Sequence, residues 1–344
     1  MFPLKIILYL TLLTAVLSST TADTHPTNRL LSPTQKSLNS APLKGGFSID
    51  CLKFWGWPKE CPHSEFYAGA HMDKERYVYS EYPVTTKDGY ILTVFRVGLT
   101  DALKAKLSDK RKANIGRPVF MMHGMGGDPN DWINNDAKSS MGYYMAEQGF
   151  DVWLGTSRGY EWARGHTNPK MSRGDYFNYS WAECGLFDIP AFYQKIQDDY
   201  GNPEQKIIYM AHSRGTTQFF VSLLDPTTTE YITKYTERFY AFAPIVYLTH
   251  IGNAAAKKYS PLASLAVPLA ELIGVDWVCG DGCGGNDIGY CVHDALHFAQ
   301  QIQGKGWSNE PVFRKYDWGI QNFSVYGQFS PPEWNLGNFP KGVP

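Results

Sequence analysis

The sequence predicts one α/β domain with a mixed, mostly parallel sheet that is flanked by helices. Three observations support this: a β-hairpin pattern early in the chain, a later alternation of short apolar runs with helical patterns, and a globular composition. The chain has 344 residues, of which 43% are hydrophobic and 19% are charged, so it is long enough to bury a large core. It shows no internal repeat and no second domain boundary.

The hairpin pattern opens the predicted sheet. Residues 77–85 and 90–97 are rich in apolar and β-branched side chains, and Thr86-Lys87-Asp88-Gly89 separates them. An Asp-Gly pair supplies the positive φ that a tight hairpin turn requires. The sheet is therefore expected to begin with an antiparallel pair.

The alternating pattern follows the hairpin. Runs that are apolar on both faces suit the central strands of a parallel sheet with helices on each side. The predicted strands are 118–122, 150–154, 206–210 and 239–248, and the predicted helices are 140–148, 182–200 and 214–224.

From about residue 250 to 312 this rhythm disappears, and a segment rich in Ala, Leu, Gly and Cys takes its place. The segment is too long for an ordinary connection. We expect an inserted cap over the carboxyl end of the sheet, where α/β proteins bind their ligands. The alternative is a surface excursion without function.

The N-terminal region is typical of a secretory signal. Residues 1–22 carry Lys5, then an apolar run, then small residues up to Ala22. We predict a signal peptide at 1–22, a flexible leader at 23–50 and the folded domain at 51–344. A retained membrane anchor is the alternative, but about a dozen apolar residues are too few to cross roughly 30 Å of hydrocarbon.

A secretory route makes disulfides and glycans relevant. Cys51 and Cys61 are candidates for one pair, and Cys279, Cys283 and Cys291 crowd one loop, although the connectivity stays open. Two sequons, at Asn178 and Asn322, are candidate glycosylation sites.

The net charge of -1 provides no basic stripe, so nucleic acid is not expected as a partner.

The strongest chemical feature is a predicted strand that runs into Ala211-His212-Ser213-Arg214-Gly215 and then into a helix. Such a turn needs small residues two positions before and after the serine, and it lifts the hydroxyl to the carboxyl end of the sheet. Ala211 departs from the usual glycine but is still small. We predict that Ser213 is a nucleophile; the alternative is an ordinary helix N-cap.

A second glycine-rich turn follows the first parallel strand, as His123-Gly124-Met125-Gly126-Gly127. Acyl transfer passes through a tetrahedral oxyanion, which backbone N–H groups stabilise. We predict that the N–H groups of Met125 and Arg214 are these donors. The alternative is a plain βα turn.

Several motifs in order resemble the acid lipase family, which includes gastric and lysosomal acid lipases. They are Val84-Thr85-Thr86-Lys87-Asp88-Gly89-Tyr90-Ile91-Leu92, His123-Gly124 with Asp131-Trp132, Asp151-Val152-Trp153-Leu154-Gly155-Thr156-Ser157-Arg158-Gly159, Tyr179-Ser180-Trp181 with Phe187-Asp188-Ile189-Pro190-Ala191, the turn around Ser213, and Tyr316-Asp317-Trp318-Gly319. The resemblance implies an α/β-hydrolase fold and hydrolysis of a lipid ester through an acyl-enzyme on Ser213. It also implies a cap over an apolar acyl pocket.

A serine nucleophile needs a histidine base and an acid that orients the histidine. In the resembled family both follow the nucleophile, beyond the segment similar to 335–344. The chain is therefore expected to end before the last strands and to contain neither triad member, which leaves 239–248 as an exposed sheet edge prone to aggregation.

The histidines after Ser213 are His250, His293 and His297, which we interpret as ordinary residues of the cap region. His293 and His297 share a helical face, but no third metal ligand has a suitable spacing. No metal and no cofactor are expected.

Three functions are consistent with the sequence. The first is a secreted or lysosomal serine hydrolase that cleaves a triacylglycerol or a sterol ester. The second is an inactive lipid-binding protein that keeps the turn and the pocket. A serine peptidase is the third, which the resemblance disfavours. The expected partner is a lipid ester at a lipid–water interface, without an obligate protein partner.

Overall fold

The structure, a computed structural model, describes residues 72–160, 162–262, 277–278, 290–304 and 310–344. The predicted signal peptide, the leader and the side chains of the five cysteines other than Cys184 lie outside the described residues. Cys184 is a free, buried thiol. Within the described part of the chain, no helix is long and apolar enough to cross a membrane.

The strands form one mixed sheet and a separate two-stranded ribbon. The sheet order is β1-β2-β4-β3-β6-β7, with β5 added beside β2. The strands are β1 (Tyr77–Thr85), β2 (Tyr90–Leu99), β3 (Pro118–Met122), β4 (Asp151–Gly155), β5 (Gly165–His166), β6 (Ile207–His212), β7 (Thr236–Phe242), and the ribbon strands β8 (Trp277–Val278) and β9 (Tyr290–Cys291).

The predicted hairpin is confirmed. Strands β1 and β2 are antiparallel along their length, from Tyr77 opposite Leu99 to Thr85 opposite Ile91. Gly89 in the turn has a φ of 95°, which only glycine adopts without strain. Strand β2 then pairs antiparallel with β4, whereas β4, β3, β6 and β7 are mutually parallel. The sheet is therefore mixed and mostly parallel, as predicted.

Among the described residues, the helices lie between and after these strands. They are α1 (Asp101–Ala105), α2 (Asp109–Lys112), α3 (Met141–Glu147), α4 (Arg173–Tyr176), α5 (Trp181–Glu183), α6 (Ile189–Tyr200), α7 (Arg214–Leu224), α8 (Thr229–Tyr235), α9 (Ala254–Tyr259), α10 (Val292–Gln303) and α11 (Asn322–Tyr326).

Two predicted elements differ from the structure. The helix predicted at 182–200 is divided, because a π-helical turn, Cys184–Asp188, separates α5 from α6; Pro190, which has no N–H to donate, follows this turn. The strand predicted at 239–248 is β7, which begins at Thr236 and ends at Phe242. Ala243 has a φ of 47°, and Pro244 cannot continue the ladder.

The sheet is covered on both faces. On one face Phe120 and Tyr209 pack under α6 and α7, with the rings of Tyr209 and Phe219 stacked at 3.8 Å. On the other face Met121 and Met210 pack with residues of α3. Strands β3 and β6 are thus apolar on both sides because both sides are buried.

Strand β7 is the most exposed strand of the parallel part. Its side chains Tyr240 and Phe242 are 41% and 37% exposed. Among the described residues β7 pairs with β6 alone, and the Phe239 N–H donates to the carbonyl oxygen of Pro344 at 3.1 Å.

The described part of the predicted cap packs beside the carboxyl end of the sheet. Trp181 is fully buried there, and its ring stacks with the rings of His297 at 3.8 Å and Phe313 at 5.5 Å. Phe298 and Trp334 join this cluster, and Met125 packs against it. Met125 of the glycine-rich turn after β3 therefore packs against the same cluster as Phe298 of the predicted cap.

Candidate active site at the carboxyl end of the sheet

Ser213 lies at a sharp turn between β6 and α7. Its φ of 50° and ψ of -118° are rare for a residue with a side chain. The turn is held because the Ser213 N–H donates to the Phe242 carbonyl at 2.9 Å, and the Thr216 N–H donates to the Ser213 carbonyl at 2.9 Å. This strained strand-to-helix geometry is that of a nucleophile elbow.

Gly215 allows the first turn of α7 to lie against the end of β3. A Cβ at this position would be 2.7 Å from the Met122 carbonyl oxygen and 2.8 Å from the His123 carbonyl oxygen. Both obstacles are backbone atoms, which cannot turn away as a side chain would. The packing of the two backbone segments therefore requires glycine at position 215, and the sequence motif predicted this small residue.

The glycine-rich turn after β3 approaches Ser213 closely. A Cβ on Gly124 would lie 3.2 Å from the Ser213 Cβ and 3.0 Å from Nδ1 of His212. Gly126 has a φ of 73°, and its N–H donates to the Tyr160 hydroxyl at 3.2 Å. In the part of the chain that the structure describes, the Met125 N–H donates no hydrogen bond.

His123 connects this turn to the loop after β4. Its Nε2 accepts from the Ser157 N–H at 3.2 Å, so its Nδ1 carries the proton and donates to the Gly124 carbonyl at 2.8 Å. Burial is the main reason that the pKa of His123 falls to about 3, and the charges of Arg214 and His212 lower it further. His123 is therefore a neutral residue that orients the Gly124 peptide.

Ser157 also binds the side chain of Arg214. The Ser157 hydroxyl accepts from Nη1 of Arg214 at 2.8 Å and from the Gln218 amide at 3.3 Å. Nη2 of Arg214 donates to Sγ of Cys184 at 3.3 Å. The sequence motif predicted only a backbone role for Arg214, yet its fully buried side chain joins the elbow to two neighbouring segments.

Arg158 anchors the same loop from the other side. Its guanidinium donates to Asp188 at 2.9 Å and to Asp88 at 2.7 Å, and it lies 3.9 Å from the ring centre of Tyr90. Burial opposes its positive charge, but the carboxylates of Asp188 and Asp88 outweigh burial and raise the pKa of Arg158 well above its usual value. The loop after β4, which contacts His123 and Arg214, is therefore held by a buried ionic group.

A cavity of about 460 Å³ opens beside the elbow. Its wall includes Gly124, Met125, Asp131, His212 and Phe242. The predicted donor Met125 and the residue before Ser213 therefore share one solvent-accessible space, which is large enough for part of a small ligand.

The three histidines after Ser213 lie in different surroundings. His250 is exposed in the segment after β7. His297 is buried, and its Nε2 donates to the Arg314 carbonyl at 2.8 Å. The backbone of His293 lies in α10, and its side chain is outside the described residues. No histidine hydrogen-bonds the Ser213 hydroxyl in the described ranges, nor do three or more metal-ligating side chains cluster there.

Comparison with known families identifies the class of protein. The family described as a partial alpha/beta-hydrolase lipase region matches residues 71–136, and the alpha/beta hydrolase fold family matches residues 117–232. Together with the sheet order and the elbow, these matches show that the chain has the α/β-hydrolase fold.

Individual relatives show which enzymes with this fold the chain resembles. The chain is 27% identical to a lysosomal acid lipase/cholesteryl ester hydrolase of Macaca fascicularis and 27% identical to a gastric triacylglycerol lipase of Mus musculus. Each alignment covers 83% of this chain and 73% of the relative. It is also 33% identical to lipase member M of Homo sapiens, over 54% of this chain and 41% of that one. The resemblance to acid lipases inferred from the motifs is confirmed.

Proposed function

We propose that this protein hydrolyses carboxylic esters of lipids, triacylglycerols or sterol esters, through an acyl-enzyme on Ser213. The observation that carries the proposal is the strained elbow with the glycine-rich turn packed against it at Gly124. That arrangement exposes a serine at a helix N-terminus, beside backbone that can donate hydrogen bonds.

In this mechanism the Ser213 hydroxyl attacks the ester carbonyl. The N–H groups of Met125 and Arg214 stabilise the tetrahedral oxyanion, and each such donor contributes about 3 kcal/mol to the transition state. Collapse of the oxyanion releases the alcohol and leaves an acyl-enzyme, which water then hydrolyses. A base must take the proton of Ser213 as the hydroxyl attacks, because a serine hydroxyl is a weak nucleophile at its ordinary pKa. The same base must return that proton to the departing alkoxide, and must then take a proton from the attacking water and return it to Ser213 when the acid is released.

The names of the relatives support the substrate class. They are described as a lysosomal acid lipase/cholesteryl ester hydrolase and a gastric triacylglycerol lipase. By the same reasoning we propose a lysosomal or extracellular location. The short apolar run with Lys5 and small residues before Ala22 agrees with such a route.

A second candidate is a lipid-binding protein without catalysis. It is favoured by one observation, namely that no histidine among the described residues hydrogen-bonds the Ser213 hydroxyl. An inactive protein would keep the cavity and the elbow as a binding site, but it would leave Ser213 unreactive.

Labelling with a fluorophosphonate separates the two candidates. An activated Ser213 is expected to form a covalent adduct, which Ser213→Ala abolishes, and to release alcohol from a chromogenic lipid ester. Ser222→Ala is the matched control, because Ser222 lies within α7, the helix that follows Ser213, and its hydroxyl donates to the Gly185 carbonyl. Labelling that persists in Ser213→Ala would refute the assignment, whereas no labelling of the unaltered protein would favour the inactive candidate.

A further inference from the structure

The segment 322–329, here called the 322–329 knob, exposes apolar side chains to solvent. Phe323 is 56% exposed, Val325 is 53% exposed and Phe329 is 79% exposed. The rings of Phe323 and Phe329 stack, with their centroids 5.1 Å apart. Single exposed apolar residues are normal on protein surfaces, whereas a grouped set marks an interaction surface.

The knob is held in place rather than loosely tethered. The buried amide of Asn322 donates to Asp317 Oδ1 at 2.8 Å and to the Phe329 carbonyl at 3.0 Å, which closes the segment on itself. The Tyr326 hydroxyl donates to the Tyr316 carbonyl at 2.9 Å. Because these bonds already hold the knob in one conformation, few side chains become ordered when it binds, and less conformational entropy is lost.

A glycan does not cover the knob when Asn322 is bonded in this way. Asn322 is the acceptor position of a sequon, but both N–H groups of its amide are used in the two hydrogen bonds above, and the residue is buried. Attachment of a sugar replaces one of these two hydrogens, so it would break at least one of the bonds. The exposed rings are thus available to a partner.

The absence of charged side chains along the knob segment indicates the chemistry of that partner. From Trp318 to Pro332 no side chain carries a charge. On its N-terminal side Arg314 is paired with Asp317 at 3.7 Å. A surface that recognises anionic lipid uses clusters of Lys and Arg, and this segment has none. Aromatic side chains without charges instead suit the boundary between water and uncharged lipid.

We propose that the 322–329 knob docks the protein onto the surface of uncharged lipid, with Phe323 and Phe329 inserted among the acyl chains. This inference rests on the proposed function only in its choice of surface, since an ester hydrolase of lipids meets its substrate at such an interface. The knob supplies adhesion and takes no part in the chemistry at Ser213.

The test measures lipid binding without hydrolysis. The full chain with Ser213→Ala is mixed with phosphatidylcholine vesicles that contain triacylglycerol, and the bound fraction is measured by flotation. Adding Phe323→Ser and Phe329→Ser is expected to weaken partition tenfold or more, because transfer of even one phenylalanyl ring changes partition by about tenfold. The matched control is Ile115→Ser, which removes a 45% exposed apolar residue just before the central strand β3, outside the knob; it is expected to bind like its parent.

Three outcomes overturn the inference: unchanged binding in the double variant, equal loss in the Ile115 control, or a sedimenting dimer that the double variant dissociates while lipid binding is absent. If the double variant does not fold, Phe329→Ser alone decides the question, with unchanged binding again refuting the knob. If the double variant loses vesicle binding while Ser213 of the unaltered protein does not react with fluorophosphonate, the knob is supported and only the proposed function is contradicted.

Discussion

Two regions fix the geometry around Ser213, and they do so by different means. At the elbow the close fit is steric, because Gly215 lies against the backbone carbonyls of Met122 and His123, and Gly124 lies against side-chain atoms of His212 and Ser213. In the loop after β4, Arg158 and Ser157 hold the same parts through hydrogen bonds and charge. The first region fails when an atom is added, whereas the second fails when a charge is removed. Only the second is expected to dominate the stability of the whole domain.

The largest expected effect comes from removing the buried cation. Arg158→Met leaves Asp188, which is fully buried, without its positive partner. Breaking one side of a buried ion pair costs about 3–5 kcal/mol. Urea unfolding followed by circular dichroism is expected to show this loss in the free energy of unfolding.

The control for Arg158 is another arginine with a carboxylate partner. Arg117 pairs with Glu237 near the surface, where both side chains are about a third or more exposed, so Arg117→Met is expected to cost less than about 1 kcal/mol. Combining Arg158→Met with Asp188→Leu removes the uncompensated charge and is expected to recover part of the loss. Equal stability of the Arg158 and Arg117 variants would mean that the buried pair of Arg158 and Asp188 contributes little to the free energy of unfolding.

A substitution at the elbow is expected to lower the rate of labelling rather than the stability of the fold. Gly215→Ala places a Cβ within 2.8 Å of two backbone carbonyl oxygens, so α7 must move away from the end of β3. Because the Arg214 N–H moves with α7, fluorophosphonate labelling is expected to slow by about 10² to 10³, comparable to the loss of one oxyanion donor.

Gly252→Ala is the matched change, because a Cβ at Gly252 meets no atom within 4 Å. Its labelling rate is expected to equal that of the unaltered protein. If Gly215→Ala labelled as fast as Gly252→Ala, the contact between α7 and β3 would not control the elbow. This outcome would also remove the contrast between a steric and an ionic region.

Patterns set by local periodicity were predictable from the sequence. Strand β3 was predicted with its observed bounds, Pro118–Met122, and helix α7 with Arg214–Leu224. Strand β7 was not, because the apolar run 239–248 continues through Ala243 and Pro244, where the backbone turns. Likewise the helix predicted at 182–200 is interrupted by a π turn, which a smooth helical pattern does not reveal.

The site was predictable where a motif fixes the backbone and unpredictable where distant side chains meet. Ser213 and the glycines follow from the spacing of small residues. The side-chain bond from Arg214 to Ser157 joins residues 57 positions apart, and the neutral state of His123 depends on complete burial. Neither has a local signal in one sequence, although the polar run Thr156-Ser157-Arg158 after an apolar strand does indicate buried hydrogen bonding.

The smallest expected effect concerns pH and links the two regions through His123. The pKa of His123 is about 3 in the folded protein, mainly because of burial, against a usual value of 6.5. Between these values the unfolded chain binds a proton that the folded chain does not. The stabilising contribution is therefore complete above pH 6.5 and is lost as the pH falls from 6.5 towards 3, which amounts to about 2 kcal/mol at pH 5.

His123→Gln removes this titration. Its free energy of unfolding is expected to be lower at pH 7, since two hydrogen bonds change, but to fall less steeply between pH 7 and pH 5 than that of the unaltered protein. The slope rather than the absolute value is the measurement, and the exposed His250→Gln is the control. An unchanged slope in His123→Gln would mean that His123 is protonated inside the fold. Both ring nitrogens would then donate, which contradicts the Ser157 N–H that donates to Nε2.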